Sequence, residues 1–76
     1  MDERTVQVDG GMSIHDANEE LELGLPEGEY ETVAGFVLSQ LGHIPHEGEQ
    51  LSYNRLRLVI TQMQGRKIER VLLTRL

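Results

Sequence analysis

The residues of this chain that could support chemistry are a group of carboxylates and three histidines, all within residues 1–50. The carboxylates considered for general acid or base catalysis are Asp9, Asp16, Glu19 and Glu20. Such catalysis would require one of them to lie in an apolar cleft that favours its protonated form. The sequence around them indicates no such cleft, so we interpret these carboxylates as solvated, mostly on the outer face of a helix.

His43 and His46 have the spacing of a His-x-x-His metal motif, and His15 is the third histidine. A zinc site requires convergent ligands and further hydrogen bonds that orient them. Pro45 separates the first two histidines after a predicted helix end, and His15 falls on a different predicted helix, so we predict no metal site. We expect His43 to interact instead with the last carbonyl groups of the helix before it, where a positive charge is favourable.

Motifs for a nucleophile or a bound cofactor are absent from the sequence. None of Ser13, Ser39 and Ser52 stands in a G-x-S-x-G pattern, and neither a G-x-G-x-x-G fingerprint nor a phosphate-binding loop occurs. Asp9-Gly10-Gly11 before a helix weakly indicates an anion site and is more typical of a turn. Without cysteine, the chain forms neither disulfides nor thiolate zinc ligands. We therefore predict a domain that is not an enzyme, uses no cofactor and acts by binding or regulation.

Charge is divided unevenly along the 76 residues, whose net charge is −6. Residues 1–50 carry 12 acidic side chains and one basic one, whereas residues 51–76 carry six basic side chains and one acidic one. The two parts could neutralise each other in the fold, or the basic part could present a face to an anionic partner. Nucleic acid is disfavoured as that partner, because the chain is acidic overall and has only two Tyr and one Phe to stack on bases.

The length and the apolar pattern predict one soluble domain that covers residues 1–76. No apolar run approaches the roughly 20 residues of a membrane span, and the first residues lack the order of a signal peptide. We therefore expect no direct insertion into a membrane. A chain of this length has a core only one layer deep, which leaves no room for a large enclosed cleft.

Two helices are predicted from capping residues and hydrophobic periodicity. The first is capped by Ser13 and ends near Gly24, and the acidic turn Glu27-Gly28-Glu29 separates it from the second, which ends at Leu41. Gly35 inside the second helix costs about 1 kcal/mol relative to alanine. This cost predicts that the backbone of the sheet or of the first helix packs closely there, with a bound ligand as the less favoured alternative.

The remaining segments alternate between branched and polar residues, which is typical of strands. Strands are predicted at Thr5–Val8, Gln50–Tyr53, Leu56–Thr61 and Ile68–Leu73. Tight connections make the last three an antiparallel meander. Leu56, Leu58 and Ile60 should face one side of the sheet, and Arg55, Arg57, Val59 and Thr61 the other. The prediction is a two-layer α+β domain with both helices on one face of an antiparallel sheet.

Three stretches of the chain carry a comparison with a known family. They are Val8 to Ile14; Leu25-Pro26 with Tyr30 to Leu38 and Leu41 to Pro45; and Leu56 to Leu58 with Gly65 to Val71. In this order they resemble the transporter-associated domain of CorC/HlyC-type proteins over about Thr5 to Val71. The Asn54-Arg55 turn departs from the family pattern, which usually has Gly after the turn residue.

The resemblance has implications for fold and context. It implies a fold similar to small α+β domains of certain FAD-binding, PCMH-like enzymes, although no FAD contact residue is carried over to this chain. It also implies a C-terminal domain that follows a membrane-embedded region and a pair of CBS modules, on the cytoplasmic side of the cell membrane. The chain would then be the excised tail of a haemolysin-like membrane protein or of one linked to magnesium and cobalt efflux.

From the resemblance and the charge pattern we predict a regulatory or interaction module that modulates divalent-cation transport. Its partners would be the CBS modules or the membrane region of its own parent chain, or a second copy in a homodimer. The predicted contact residues are Arg55, Arg57 and Arg70 on the uncovered sheet face, with strand addition at a sheet edge as the alternative mode. The alternative function is sensing of a small ligand, a nucleotide or a metal ion, between the helices and the sheet.

Overall fold

The structure of the chain, a computed structural model, describes residues 4–28 and 30–76. Its elements in chain order are β1 (Thr5–Asp9), α1 (Ile14–Leu21), α2 (Val33–Leu41), β2 (Gln50–Tyr53), β3 (Leu56–Gln64) and β4 (Lys67–Arg75). Each predicted helix and strand is present, and β3 and β4 are longer than the sequence indicated. Glu29, the last residue of the predicted acidic turn, lies outside the described residues.

The four strands form one antiparallel sheet in the order β1-β4-β3-β2. β2, β3 and β4 are the predicted meander, joined by short turns. β1 pairs with β4 at the edge of the meander opposite β2, with Thr5 opposite Thr74 and Asp9 opposite Arg70. Both helices contribute buried residues to one core on a single side of the sheet. The expected two-layer α+β architecture is confirmed.

The core between the helices and the sheet is built around Phe36 of α2, which is fully buried. The rings of Tyr30 and Tyr53 meet the Phe36 ring edge-on, with centroid distances of 5.6 and 5.0 Å. Alternate residues of the central strands, such as Leu58 and Ile60, complete the core from the sheet side. All three aromatic side chains of the protein therefore pack on the helix side of the sheet.

Polar contacts set both ends of α1. The Ser13 hydroxyl accepts a hydrogen bond from the N–H group of the third helical residue at 2.9 Å, as the predicted cap requires. The helix ends at Leu21 and not near Gly24, because Glu22 takes a left-handed conformation with φ of 54°. The Arg75 guanidinium donates to the carbonyl oxygens of Leu21 and Glu22, which satisfies acceptors at the helix end.

The close backbone contact predicted at Gly35 occurs at Gly10 instead. A Cβ atom on Gly35 would have the Thr32 hydroxyl as its nearest neighbour, at an ordinary 3.4 Å. A Cβ atom on Gly10 would lie 2.2 Å from the carbonyl oxygen of Ile68. The chain folds this tightly because Gly10 joins the two layers: its N–H donates to the Glu69 carbonyl and its own carbonyl accepts from the first turn of α2, both at 2.9 Å.

Candidate interaction surface

The side of the sheet away from the helices, called the open face below, carries two apolar side chains between two arginines. Val59 of β3 lies opposite Leu72 of β4, and both are half-buried. Arg57 lies two residues before Val59, and Arg70 lies two residues before Leu72. Residues two apart in a strand share a face, and β3 and β4 run antiparallel, so the arginines lie at opposite ends of the Val59–Leu72 pair.

The spacing of these arginines follows from the strand register. Arg57 lies opposite Thr74, which is four residues from Arg70 along β4. At about 3.3 Å per residue, the two arginine positions are about 13 Å apart along the strand. Beside them, Gln7 Nε2 donates to Thr61 Oγ1 at 3.5 Å, across β4. The open face therefore has a small apolar centre, a guanidinium group at each end and mostly neutral polar neighbours, with the exposed Asp9 of β1 beside Arg70.

In the part of the chain that the structure describes, the basic side chains of residues 51–76 form no ion pair with a carboxylate. Within residues 4–28 and 30–76, each ion pair closer than 4.0 Å involves a histidine. Even Asp9, opposite Arg70 in the register, uses its carboxylate to accept a hydrogen bond from the Gly11 N–H at 2.7 Å. The interpretation that the two parts neutralise each other therefore gains no support from direct ion pairs among the described residues. Arg75 instead donates to backbone carbonyl groups at the end of α1, whereas the exposed side chains of Arg57 and Arg70 face solvent or a partner.

Arg55, the third predicted contact residue, does not share the open face with Arg57 and Arg70. It lies with Asn54 in the two-residue turn between β2 and β3, and both residues have positive φ, 44° for Asn54 and 68° for Arg55. Two consecutive left-handed residues are what a tight hairpin turn requires, so β3 begins only at Leu56. Placing Arg55 on the face of β3 was wrong, whereas the face of Arg57 and Arg70 is as predicted.

Two shallow clefts lie between the end of α1 and the adjacent end of the sheet. Each has a volume of about 230 Å³, and Leu23 and Arg75 line both. Arg55 lines one of them, where Glu22 is also present. Pockets for drug-sized ligands or cofactors usually exceed about 300 Å³ and enclose converging polar groups. These clefts are smaller and bordered by both charges, so they offer no enclosed place for a nucleotide or a flavin.

His15 of α1 is held between two carboxylates. Its Nδ1 atom lies 3.1 Å from Glu27 and its Nε2 atom 3.4 Å from Glu19. The hydrogen bond to Glu27 and the negative charges of Glu19 and Glu27 raise the pKa of His15. Hydrogen bonds from His15 and from Asn18, at 3.2 Å, lower the pKa of the Glu27 carboxyl. This group connects α1 to the loop that follows it.

His43 interacts with the end of α2, which confirms the predicted role of this histidine. Its Nδ1 atom lies 3.0 Å from the Leu41 carbonyl oxygen, and its Nε2 atom lies 2.5 Å from Glu49 Oε2. His46 Nδ1 lies 3.3 Å from the other carboxylate oxygen of Glu49. Burial raises the pKa of the Glu49 carboxyl, but the hydrogen bonds from His43 and from the His46 N–H outweigh this, and the resulting pKa is lowered.

The two histidines lie on different oxygens of one carboxylate, so they share an acid and do not converge on a free ligand position. Among the residues that the structure describes, no group of three or more His, Asp or Glu side chains has the geometry of a metal site. The loop before β2 also covers the part of β3 that extends past its pairing with β2. There, Glu47 accepts a hydrogen bond from the Met63 N–H at 2.9 Å. Sequence reasoning missed this role, because nothing local links Glu47 to a strand sixteen residues away.

The carboxylates considered for catalysis, Asp9, Asp16, Glu19 and Glu20, are all exposed. In the described part of the chain, no polar or charged side chain is buried. A general acid or base with an altered protonation state usually depends on such burial. These four carboxylates therefore lie at the surface and not in an apolar cleft. Within the described part of the chain, no helix is long and apolar enough to cross a membrane.

Comparison with known proteins gives a family match over the whole chain. The CorC_HlyC family, described as "Transporter associated domain", matches residues 1–76. A polyamine export protein of Salmonella typhimurium is 31% identical over 77 residues, which cover 99% of this chain and 17% of the relative. Hemolysin C of Brachyspira hyodysenteriae is 30% identical over 76 residues, which cover 99% of this chain and 28% of the relative. The chain spans less than a third of the length of the curated relatives it matches.

Solved structures show the same fold. A CorC_HlyC transporter associated domain from a Xylella fastidiosa hemolysin, solved in complex with Mg²⁺ and Mn²⁺, superposes with a TM-score of 0.81 at 35% identity. The match covers 95% of this chain and 87% of that one. The order of helices and strands described above is therefore shared with this solved domain.

Proposed function

Because the chain belongs to the CorC_HlyC family of transporter associated domains, we propose that it is a non-catalytic regulatory module of a longer membrane transport protein. The observation that carries this proposal is the open face, where Arg57 and Arg70 flank an apolar pair and form no ion pair with any residue that the structure describes. Such a surface suits contact with another macromolecule. Catalysis lacks comparable support, because none of the described residues is a buried titratable group.

In this proposal, the parent protein holds the domain on the cytoplasmic side, beside its CBS modules or its membrane region. The greater length of the relatives supports a parent chain. The domain contacts its partner in one transport state and not in the other, which shifts the equilibrium between the states. A coupling of about 1 to 3 kcal/mol is enough, because it changes an equilibrium constant about 5- to 150-fold. The proposed cargo is a divalent cation such as magnesium or cobalt, with a polyamine as the alternative that the Salmonella relative suggests.

The test is transport by the full-length parent with and without residues 1–76. We expect deletion to change the rate of efflux while the amount of protein in the membrane stays constant. The double variant Arg57→Gln/Arg70→Gln in the intact parent should reproduce part of that change, because it alters the contact and leaves the core untouched. Efflux is measured for magnesium, cobalt and a polyamine in parallel. Unchanged transport of all three, with unchanged assembly, would rule out the regulatory role.

A second candidate is sensing of divalent cations by the domain itself. It is favoured by the Xylella domain, which was solved with Mg²⁺ and Mn²⁺ at 35% identity to this chain. A cation that binds only the folded chain should add about 2.7 kcal/mol of stability at 100 times its Kd. Thermal unfolding of the isolated chain with increasing MgCl₂ or MnCl₂, against NaCl at equal ionic strength, measures this. An unchanged midpoint would exclude the sensor and leave the interaction module unaffected.

A further inference from the structure

We infer that the open face binds an acidic segment of polypeptide that lies along β3 and β4. In the complex, one carboxylate meets Arg57, a second meets Arg70, and an apolar side chain between them covers Val59 and Leu72. The inference rests on the proposed interaction role and gives that role a partner of defined chemistry. It does not depend on which protein supplies the segment.

The spacing of the open face sets the pattern of this segment. The two arginine positions are about 13 Å apart along the strand, which equals four residues of an extended chain. Alternate residues of an extended chain point the same way, so an acid-x-apolar-x-acid sequence presents its three groups to one surface. A helix would need about nine residues to span the same distance at 1.5 Å per residue. An extended segment therefore fits with fewer ordered residues.

Charge complementarity selects a carboxylate partner. Arg57 and Arg70 are exposed and lack a carboxylate within 4.0 Å in the described residues, so an incoming acid need not displace an existing ion pair. Arginine also holds a carboxylate through two parallel hydrogen bonds, which fixes its orientation. The half-buried Val59–Leu72 pair favours a partner that also has an apolar side chain, because a purely charged partner would not cover this pair.

Polynucleotides and anionic membranes fit this face less well. The rings of Tyr30, Phe36 and Tyr53 pack against the core on the opposite side of the sheet, so bases find no ring to stack on. A net charge of −6 also repels a polyanion whose charge extends beyond the open face. A short acidic segment places its charge only where the two arginines are.

The test is an NMR titration of the isolated chain, whose single core lies within these residues. The probe is the end-blocked peptide Ser-Glu-Thr-Leu-Thr-Glu-Ser, and the control peptide has Gln in place of both Glu residues. We expect amide shifts centred on Val59 and Leu72 with the acidic peptide only. Arg57→Gln/Arg70→Gln should weaken binding about 2- to 30-fold, the range for loss of two exposed charge pairs. Arg55→Gln/Arg66→Gln removes two turn arginines and should leave the affinity within about 2-fold.

Three results would overturn the inference. Equal loss with both double variants would show attraction to total charge and no site on the open face. Binding to phosphatidylserine-containing vesicles that depends on Arg57 and Arg70, without peptide binding, would make the face a membrane contact. Absence of any peptide shift would refute the acidic segment. Absence of peptide binding would leave the regulatory role intact if deletion of the domain still alters transport by the parent. Failure of this inference can therefore be distinguished from failure of the proposed function.

Discussion

Replacing Gly10 by alanine tests the packing between β4 and the start of α2. The added Cβ atom would lie 2.2 Å from the carbonyl oxygen and 3.0 Å from the carbonyl carbon of Ile68. An ordinary contact begins near 3.4 Å, so the backbone must move by about 1 Å, since no flexible side chain is available to yield. That movement strains the two 2.9 Å hydrogen bonds that Gly10 makes with Glu69 and Ala34.

The expected loss can be assembled from two contributions. Forcing extra volume into a packed site typically costs about 1 to 3 kcal/mol. Weakening two backbone hydrogen bonds adds about 0.5 to 1.5 kcal/mol each. We therefore expect Gly10→Ala to lower the free energy of unfolding by about 2 to 6 kcal/mol, a large share of the roughly 5 to 15 kcal/mol of a typical domain. For a chain of this size, the melting temperature should fall by about 10 °C or more.

Urea denaturation followed by circular dichroism measures this loss, and Gly35→Ala is the matched control. Gly35 lies inside α2, and its new Cβ atom would meet only the Thr32 hydroxyl at 3.4 Å. Alanine there should stabilise the chain by about 0.5 to 1 kcal/mol, because it favours the helix. The two replacements add the same methyl group and should have opposite signs. A loss below about 1 kcal/mol at Gly10, or an equal loss at Gly35, would refute the reasoning.

Three further outcomes are expected. Asn18→Ala removes two 2.8 Å hydrogen bonds to the Leu25 backbone, so it should lower the unfolding free energy by about 1 to 3 kcal/mol in urea titrations; a loss within error would contradict this. Phe36→Ala should cost about 3 to 5 kcal/mol, read as a fall in melting temperature, and a fall of only a few degrees would contradict its central place. Because the pKa of His15 is raised by folding, its stabilising effect is complete below about pH 6.5 and is lost as pH rises through the folded value. The unfolding free energy of His15→Gln should therefore decrease less with rising pH above about pH 6.5 than that of the unchanged chain. An identical pH profile for both would refute this.

Local pattern was enough to predict most of the fold and part of the surface. The end of α2 at Leu41 and the period-two alternation of β3 are properties of neighbouring residues, and the structure confirms both. The same alternation placed Arg57 on the face away from the core. Alternation alone does not place Arg70, because Ile68 and Val71 are both buried although they lie three residues apart. β4 pairs with β3 there through two register shifts that no sequence signal indicated.

The failures have a common physical cause, which is that they depend on contacts between distant segments. The sequence indicated close packing at Gly35 and only a turn at Gly10, and the clash that singles out Gly10 is with Ile68, 58 residues away. Arg55 fits the alternation of β3 until the turn is counted, because the hairpin takes both of its central residues at positive φ. The pairing of Val59 with Leu72 likewise required the register of β3 and β4, so the apolar centre of the open face was not visible in the sequence.

The separation of charge in this fold bears on how its net charge should act on a partner. The smallest dimension of the chain is 18 Å, whereas the Debye length is about 8 Å at physiological ionic strength and about 30 Å at 0.01 M salt. At physiological salt, an approaching segment therefore experiences mainly the layer it faces, and the open face acts as basic despite the net charge of −6. At low salt the acidic helix layer is felt through the molecule and opposes the approach. Lowering the salt from about 0.15 to 0.01 M should thus fail to tighten binding of the acidic peptide. The steep strengthening expected of a uniformly basic site would show instead that the open face acts independently of the acidic layer behind it.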